Sequence, residues 1–260
     1  IRYFCTKRLG AGLGFRAGHG FQRASKHDRL ASDRAVSGLL DHRLFNRQLT
    51  RQLVERDKVF AIVNTIGTAT NRTTHRYLNQ KKVPQFFILS GAAQWNDPKN
   101  YPWTMMGMVA YQTEGAVYAR NILTTTPNAR IALLRQNDDF GKDYVEGFKH
   151  ALGDKAGMIV AEVSFETTDP TVDAQIIQLR ASNADAFFVV ATGKHATQAI
   201  RKAHELGWKP QIYLPVGSAS IPGVLKPAGA DAATLLRLAG PEQFDAEMVR
   251  RIRQIRAKGT

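Results

Sequence analysis

The sequence predicts an α/β protein with doubly wound parallel sheets. Three observations carry this. Short, continuously apolar runs recur along the chain, each followed by a stretch with helical apolar spacing, which is the pattern of parallel βαβ units with helices on both faces. The 260 residues are 43% hydrophobic, enough for a substantial core or for two lobes. No self-similarity with a solenoid-like period accompanies the βα rhythm.

The rhythm starts at Leu49. Residues 51–57 read as the end of an amphipathic helix, and 58–63 (KVFAIV) as a buried strand. Residues 70–82 predict a helix, 83–89 the next strand, 96–102 a Pro/Asn/Asp-rich loop and 103–108 a short extended piece. Ala116, Ala119 and Leu123 share a face of a helix over 112–125, stopped by Pro127 and Asn128. A strand over 129–134 follows. Tyr144, Phe148 and Leu152 define a helix over 143–152 closed by Gly153, and 158–165 is a strand. Asp169-Pro170-Thr171 opens a helix that buries Val172, Ile176 and Leu179. Residues 186–190 (AFFVV) form a central strand. Ala196, Ala199, Ile200 and Ala203 line a helix capped by Gly207, and 212–214 is one more strand.

The ends differ from this body. Residues 1–48 form an atypical basic segment in which Gly10, Gly12, Gly14, Gly18 and Gly20 suit neither helix nor strand. The first lobe is expected to include 49–108 and the second 109–229. Residues 230–260 are expected to be a basic tail, with Phe244, Met248, Ile252 and Ile255 able to line one helix face. The net charge is +14, but residues 1–50 hold ten Lys/Arg against three Asp, and 250–260 hold five Lys/Arg and no acid. That leaves 21 basic and 19 acidic residues for 51–249, so the basicity says little about what the body binds. The chain begins at Ile1 without a leader pattern, so a processed or incomplete product is expected. The abrupt change near Leu49 leaves two readings open, a divergent N-terminal segment or a shifted reading frame in GC-rich coding DNA.

Composition and motifs exclude several chemistries. No run approaches the length of a membrane span, and the single cysteine, Cys5, excludes a disulfide framework. Gly12 to Ala17 loosely matches a dinucleotide fingerprint, yet no buried strand precedes it. Asp139-Phe140-Gly141 spells the kinase magnesium triplet without the catalytic loop that must precede it; here Asp138 or Asp139 is expected to cap a helix, with Gly141 in a tight turn. The seven histidines never stand four apart on a helix face, and no metal or cofactor is expected. Ser90 and Ser218 lack a nucleophile context. Asn71-Arg72-Thr73 fits the glycosylation pattern, which is common by chance. The protein is not expected to be an enzyme.

In open parallel sheets ligands lie beyond the carboxyl ends of the strands. Four such ends are rich in small and hydroxyl residues: Asn64 to Thr70, Ser90 to Gln94, Gln136 to Phe140, and Ala191 to Lys194. Small residues let backbone amides approach a ligand, and Thr68 or Thr70 would serve as helix cap and donor together. Such loops need caps and glycines whatever their function, so spacing alone leaves binding loops and plain connections equally open.

Particular strings go further. Leu53-Val54-Glu55-Arg56-Asp57-Lys58-Val59-Phe60-Ala61-Ile62-Val63 followed by Gly67-Thr68-Ala69-Thr70-Asn71 resembles the branched-chain amino-acid-binding (Leu/Ile/Val-type) periplasmic solute-binding proteins of ABC importers. So do residues 77–85, Trp95 to Asn100, Gln136 to Tyr144, and Gln211-Ile212-Tyr213-Leu214-Pro215. The likeness runs from about Leu49 to Gly229 and fades after Ala230. It implies a type I periplasmic-binding fold, with ligand captured in the cleft between the lobes by hinge closure. By this similarity Thr68 and the amides of Gly67 and Ala69 would hold a ligand carboxylate, while Gly91, Ala92 and Gln94 would line the same lobe. Phe140 would pack from the second lobe, beside Thr192 and Gly193.

One departure bears on the ligand. Where amino-acid binders of this kind place an acid against the ligand ammonium, this chain has Val216. A buried ammonium without a partner is costly, so an aromatic or short-chain acid, or a neutral amide, is expected rather than a zwitterion. The resemblance implies a periplasmic, monomeric receptor that hands its ligand to a membrane permease. Two alternatives stand beside it: a small-molecule sensor domain of a regulator, and nucleic-acid binding through the basic ends, which would show steep salt dependence.

Overall fold

The computed structural model describes residues 46–229. Cys5, the Gly10–Gly20 cluster and the expected helix face from Phe244 to Ile255 lie outside the described residues. The chain divides into two compact units, Ile1–Val109 and Ala110–Thr260.

In the first unit a helix over 46–51 (α1) runs into a wider turn, Gln52–Arg56. Strands β1 (Ile62–Val63), β2 (Gln85–Ile88) and β3 (Thr104–Met106) form a parallel sheet in that order. The strand expected over 58–63 is mostly irregular, because Lys58 and Asn64 both take positive φ, a conformation a strand does not accommodate. The helix expected over 70–82 is two helices, α2 (Thr68–Arg72) and α3 (His75–Gln80). The break has a local cause. The hydroxyls of Thr73 and Thr74 donate back to the carbonyls of Thr70 and Asn71, competing with the helical ladder. Val59, Ile62 and Leu78 form the small core, packed by Leu53, Val54, Tyr77 and Val83. Gly107 is required where β3 ends: a Cβ there would lie 2.6 Å from the Phe87 Cα.

The second unit carries α4 (Tyr111–Thr125), β4 (Ile131–Gln136), α5 (Asp139–Leu152), β5 (Ile159–Phe165), α6 (Asp173–Ala181), β6 (Ala186–Val190), α7 (Gly193–Glu205) and β7 (Gln211–Tyr213). The four parallel strands lie in the order β5-β4-β6-β7. Residues of β6 alternate between two layers. Phe187 and Val189 join Ile176, Leu179, Ala199 and Ile200 from α6 and α7, while Phe188 meets Tyr118, Tyr144 and Phe148 from α4 and α5. Both phenylalanines are fully buried, each contributing about 2–3 kcal/mol. The α4–α5 contact depends on two glycines, since a Cβ on Gly115 would sit 2.3 Å from the Tyr144 carbonyl oxygen and one on Gly147 2.0 Å from that of Gln112.

Two boundaries moved for identifiable reasons. Helix α5 starts at Asp139 rather than Asp143 because Asp138 caps it, accepting the Gly141 N–H at 3.1 Å. Helix α6 starts at Asp173, later than the expected opening at Asp169, because the Asp169 side chain accepts the Glu166 N–H in the preceding turn.

Candidate functional site

At the carboxyl ends of β1 and β2 the chain folds 64–69 against 89–92. Ile66 bridges Leu89, the Gly67 N–H donates to the Leu89 carbonyl at 3.2 Å, and the Leu89 N–H to that of Thr65 at 2.9 Å. Gly67 has φ +93°, which favours glycine. Because its N–H is engaged by Leu89, the amides at the start of α2 are those of Thr68 and Ala69, which have no helical acceptor. The Thr68 hydroxyl lies 2.8 Å from that of Ser90, and Ser90 also accepts the Trp95 indole N–H at 2.9 Å. Gly91 and Ala92 are buried directly after Ser90, and Gln94 is half-buried in the 3-10 turn Ala93–Trp95. Thus Gly67, Thr68, Ala69, Gly91 and Ala92 share one end of the first unit's sheet.

Buried amides brace this loop from behind. Asn71 donates to the carbonyls of Gly67 (2.7 Å) and Thr65 (3.3 Å), and Gln85 donates to Asn71 Oδ1 (2.8 Å) and Thr65 Oγ1 (2.9 Å). Asn71 is fully buried, which removes it as a glycan acceptor. His75 is also buried, edge-on to Trp95 and Tyr101; burial lowers its pKa below the usual imidazole value. A separate open groove of about 540 Å³ on this unit is lined by Phe86, Pro98, Trp103 and Met106 among others, and by none of the expected ligand residues.

In the second unit the crossovers through α5 and α6 pass on opposite faces of the sheet, so the ends of β4 and β6 flank a topological switch point. Thr192 is exposed there and donates to Gln136 Oε1 at 3.2 Å. Gln136 Nε2 in turn donates to Asp138 Oδ2 at 2.6 Å. Gly193, also exposed, has φ +47°. Phe140 is only 6% exposed, its ring edge-on to Tyr111 and Tyr144, so the ring expected to meet ligand packs within its own unit. Ser218 donates to the Ala191 carbonyl and is buried, a structural tie rather than a nucleophile.

Glu114 was not singled out from the sequence. Its carboxylate accepts the hydroxyls of Tyr118 (2.7 Å) and Tyr144 (2.5 Å) and the Val216 N–H (2.7 Å). Burial first, and then this carboxylate, push both tyrosines well above the ordinary phenol value. The available signal was the spacing of Glu114 and Tyr118, four apart on a helix. Among the described residues, no group of three or more His, Cys, Asp or Glu is arranged to hold a metal ion.

The sequence profile of a family described as periplasmic binding protein matches residues 46–255, which extends the likeness beyond the expected limit at Ala230. Several solved structures are similar. A substrate-binding periplasmic protein from Ralstonia solanacearum is 24% identical with a TM-score of 0.64, over 73% of this chain and 53% of that one. A branched-chain amino acid ABC transporter protein from Thermus thermophilus with bound valine is 18% identical with a TM-score of 0.64, over 74% and 49%. A solute-binding protein of an R. palustris ABC transporter, in complex with 4-hydroxybenzoate, is 13% identical with a TM-score of 0.64, over 75% and 58%. This chain therefore spans about half the length of the structures it matches. No curated protein sequence matches it significantly.

Proposed function

The chain belongs to the periplasmic binding protein family, and on that footing we propose that it is the solute-binding receptor of an ABC importer. It captures a small carboxylate- or amide-bearing ligand, of the branched-chain amino acid or aromatic and short-chain acid classes, by hinge closure. It acts without catalysis, as a monomer in the periplasm, and delivers the ligand to a membrane permease. The supporting observation is the arrangement around Thr68: a hydroxyl paired with Ser90 and first-turn amides beside it, in a loop braced by two fully buried amide side chains. Preorganised donors of this kind suit a carboxylate, because the cost of ordering them is met in folding rather than in binding.

In this reading Thr68 and the Ala69 amide hold the carboxylate, Gly91, Ala92 and Gln94 line the first unit's side, and Thr192 and Gly193 contribute from the second. Gly67 shapes the turn instead of donating to ligand. Valine and 4-hydroxybenzoate, bound by the similar structures, define the first compounds to try. A thermal-shift screen of the full chain against small carboxylates tests the reading. A rise in Tm for at least one acid, with shallow salt dependence, supports it; uniform indifference to the whole panel rejects it.

A further inference from the structure

Within the first unit, the hydrogen bonds around Ser90 have a direction. Ser90 is fully buried, and its Oγ accepts the Trp95 indole N–H at 2.9 Å and, more weakly, the Ala92 N–H at 3.4 Å. An N–H cannot accept in return, and the two together take both lone pairs that a hydroxyl offers. The 2.8 Å contact with Thr68 must then use the Ser90 proton, which makes Thr68 the acceptor of that bond. The Thr68 proton is left over. Thr68 is only 6% exposed, and among the described residues its hydroxyl has no second hydrogen-bond partner. A buried hydroxyl proton without an acceptor is costly, so this one calls for an acceptor from outside. The source of the direction is Trp95. It is itself buried, its ring held edge-on by His75 at 5.1 Å, and the ring borders the open groove of this unit while its N–H is spent on Ser90.

We propose that Trp95, acting through Ser90, sets Thr68 as a hydrogen-bond donor and thereby makes the site prefer an acid over its own primary amide. The inference rests on the receptor reading above, in which Trp95 has no part. In that reading the Ala69 N–H takes one ligand oxygen, so the position at Thr68 decides the rest. A carboxylate places a second oxygen there, which accepts the Thr68 proton in a charge-assisted bond. An amide places its NH2 group there, and two donors then face each other. Thr68 touches the ligand, whereas Ser90 and Trp95 are positioning residues.

The test is calorimetric titration of the full chain with benzoate, 4-hydroxybenzoate and valine, each against its primary amide. For an acid that binds, the wild-type protein holds the acid about tenfold more tightly than the amide. Trp95→Phe keeps an aromatic ring but no N–H, which frees a Ser90 lone pair to receive the Thr68 proton. The variant narrows the acid-to-amide ratio about fivefold, chiefly by weakening the acid, whereas a packing loss would weaken both ligands alike. Added to Thr68→Ala, Trp95→Phe costs the acid nothing further, because the coupling ends at the missing hydroxyl; added to Thr68→Ser, which keeps the hydroxyl, it brings the loss back. A second measurement needs no variant. In isotope-labelled wild-type protein, saturating acid moves the Trp95 indole proton resonance downfield, because a bond to the anion polarises the chain that ends on it. A ratio unchanged in Trp95→Phe, an additive loss in Thr68→Ala, or an unmoved Trp95 resonance overturns the inference while leaving the receptor reading intact. Failure of all three acids to bind the folded wild-type chain overturns both.

Discussion

The carboxylate of Glu114 accepts the backbone N–H of Val216 at 2.7 Å, joining the first turn of α4 to the loop that leaves β7. The same carboxylate takes the hydroxyls of Tyr118 and Tyr144. Position 216, where the family resemblance implied an acidic side chain and the sequence has valine, thus has an acid bonded to its backbone from another element. Glu114→Ala would orphan the largely buried Tyr144 hydroxyl and the Val216 N–H, whereas the Tyr118 hydroxyl keeps the Leu214 carbonyl at 2.7 Å, and about 2 kcal/mol of stability should be lost, measured by urea unfolding. Glu114→Gln keeps part of the bonding and should cost about half as much.

The same cluster sets an alkaline limit. Tyr118 and Tyr144 have folded pKa values raised by burial and by Glu114, whereas unfolded tyrosine ionises near pH ~10. A raised folded pKa means that the unfolded chain releases protons first. Their contribution is complete below pH ~10 and is lost as pH rises above it. Unfolding midpoints recorded from pH 8 to 11 should fall steeply only over the upper part of that range.

His75 gives the opposite sign. Its folded pKa is lowered, chiefly by burial, so protonation favours the unfolded chain. Stability from this group is present above the unfolded value near pH ~6.5 and is lost as pH falls through it. Replacing His75 with Phe should flatten the dependence of Tm on pH between 7 and 5, and an unchanged slope would contradict the assignment.

Gly147 leaves no room for a side chain against Gln112. Gly147→Ala should cost about 3 kcal/mol by forcing α4 and α5 apart, whereas Gly157→Ala, with open space around it, should be close to neutral. Chemical denaturation of the two variants side by side separates crowding from any general effect of glycine replacement.

The described strands were readable where burial is complete. Residues 186–190 are apolar throughout and form β6 over that same span, because a strand covered on both faces needs no alternation. Helix α2–α3 was misread as continuous because the back-bonding of Thr73 and Thr74 is a local competition that apolar spacing does not register. The site was less legible. Thr68, Gly91 and Ala92 were named from strand-end composition and from resemblance, but the groups that orient side chains in such loops act across long separations: Ser90 on Thr68, Gln85 on Asn71, Gln136 on Thr192. No local motif encodes such pairs. The nearest signal was a polar glutamine at the end of an apolar strand, seen at Gln136 and, at a strand start, at Gln85.

The central claim is that Thr68 and the start of α2 hold a carboxylate. Calorimetric titration of the full chain and of Thr68→Ala, with a binding acid and with its methyl ester, tests it most directly. The account predicts saturable one-site binding of the acid, at least tenfold weaker binding of the ester, and about a tenfold loss for the acid in Thr68→Ala, as expected for one hydrogen bond to a charged group, beside a modest fall in Tm from the lost bond to the buried Ser90 hydroxyl. Equal binding of acid and ester, or full affinity in Thr68→Ala, would contradict it.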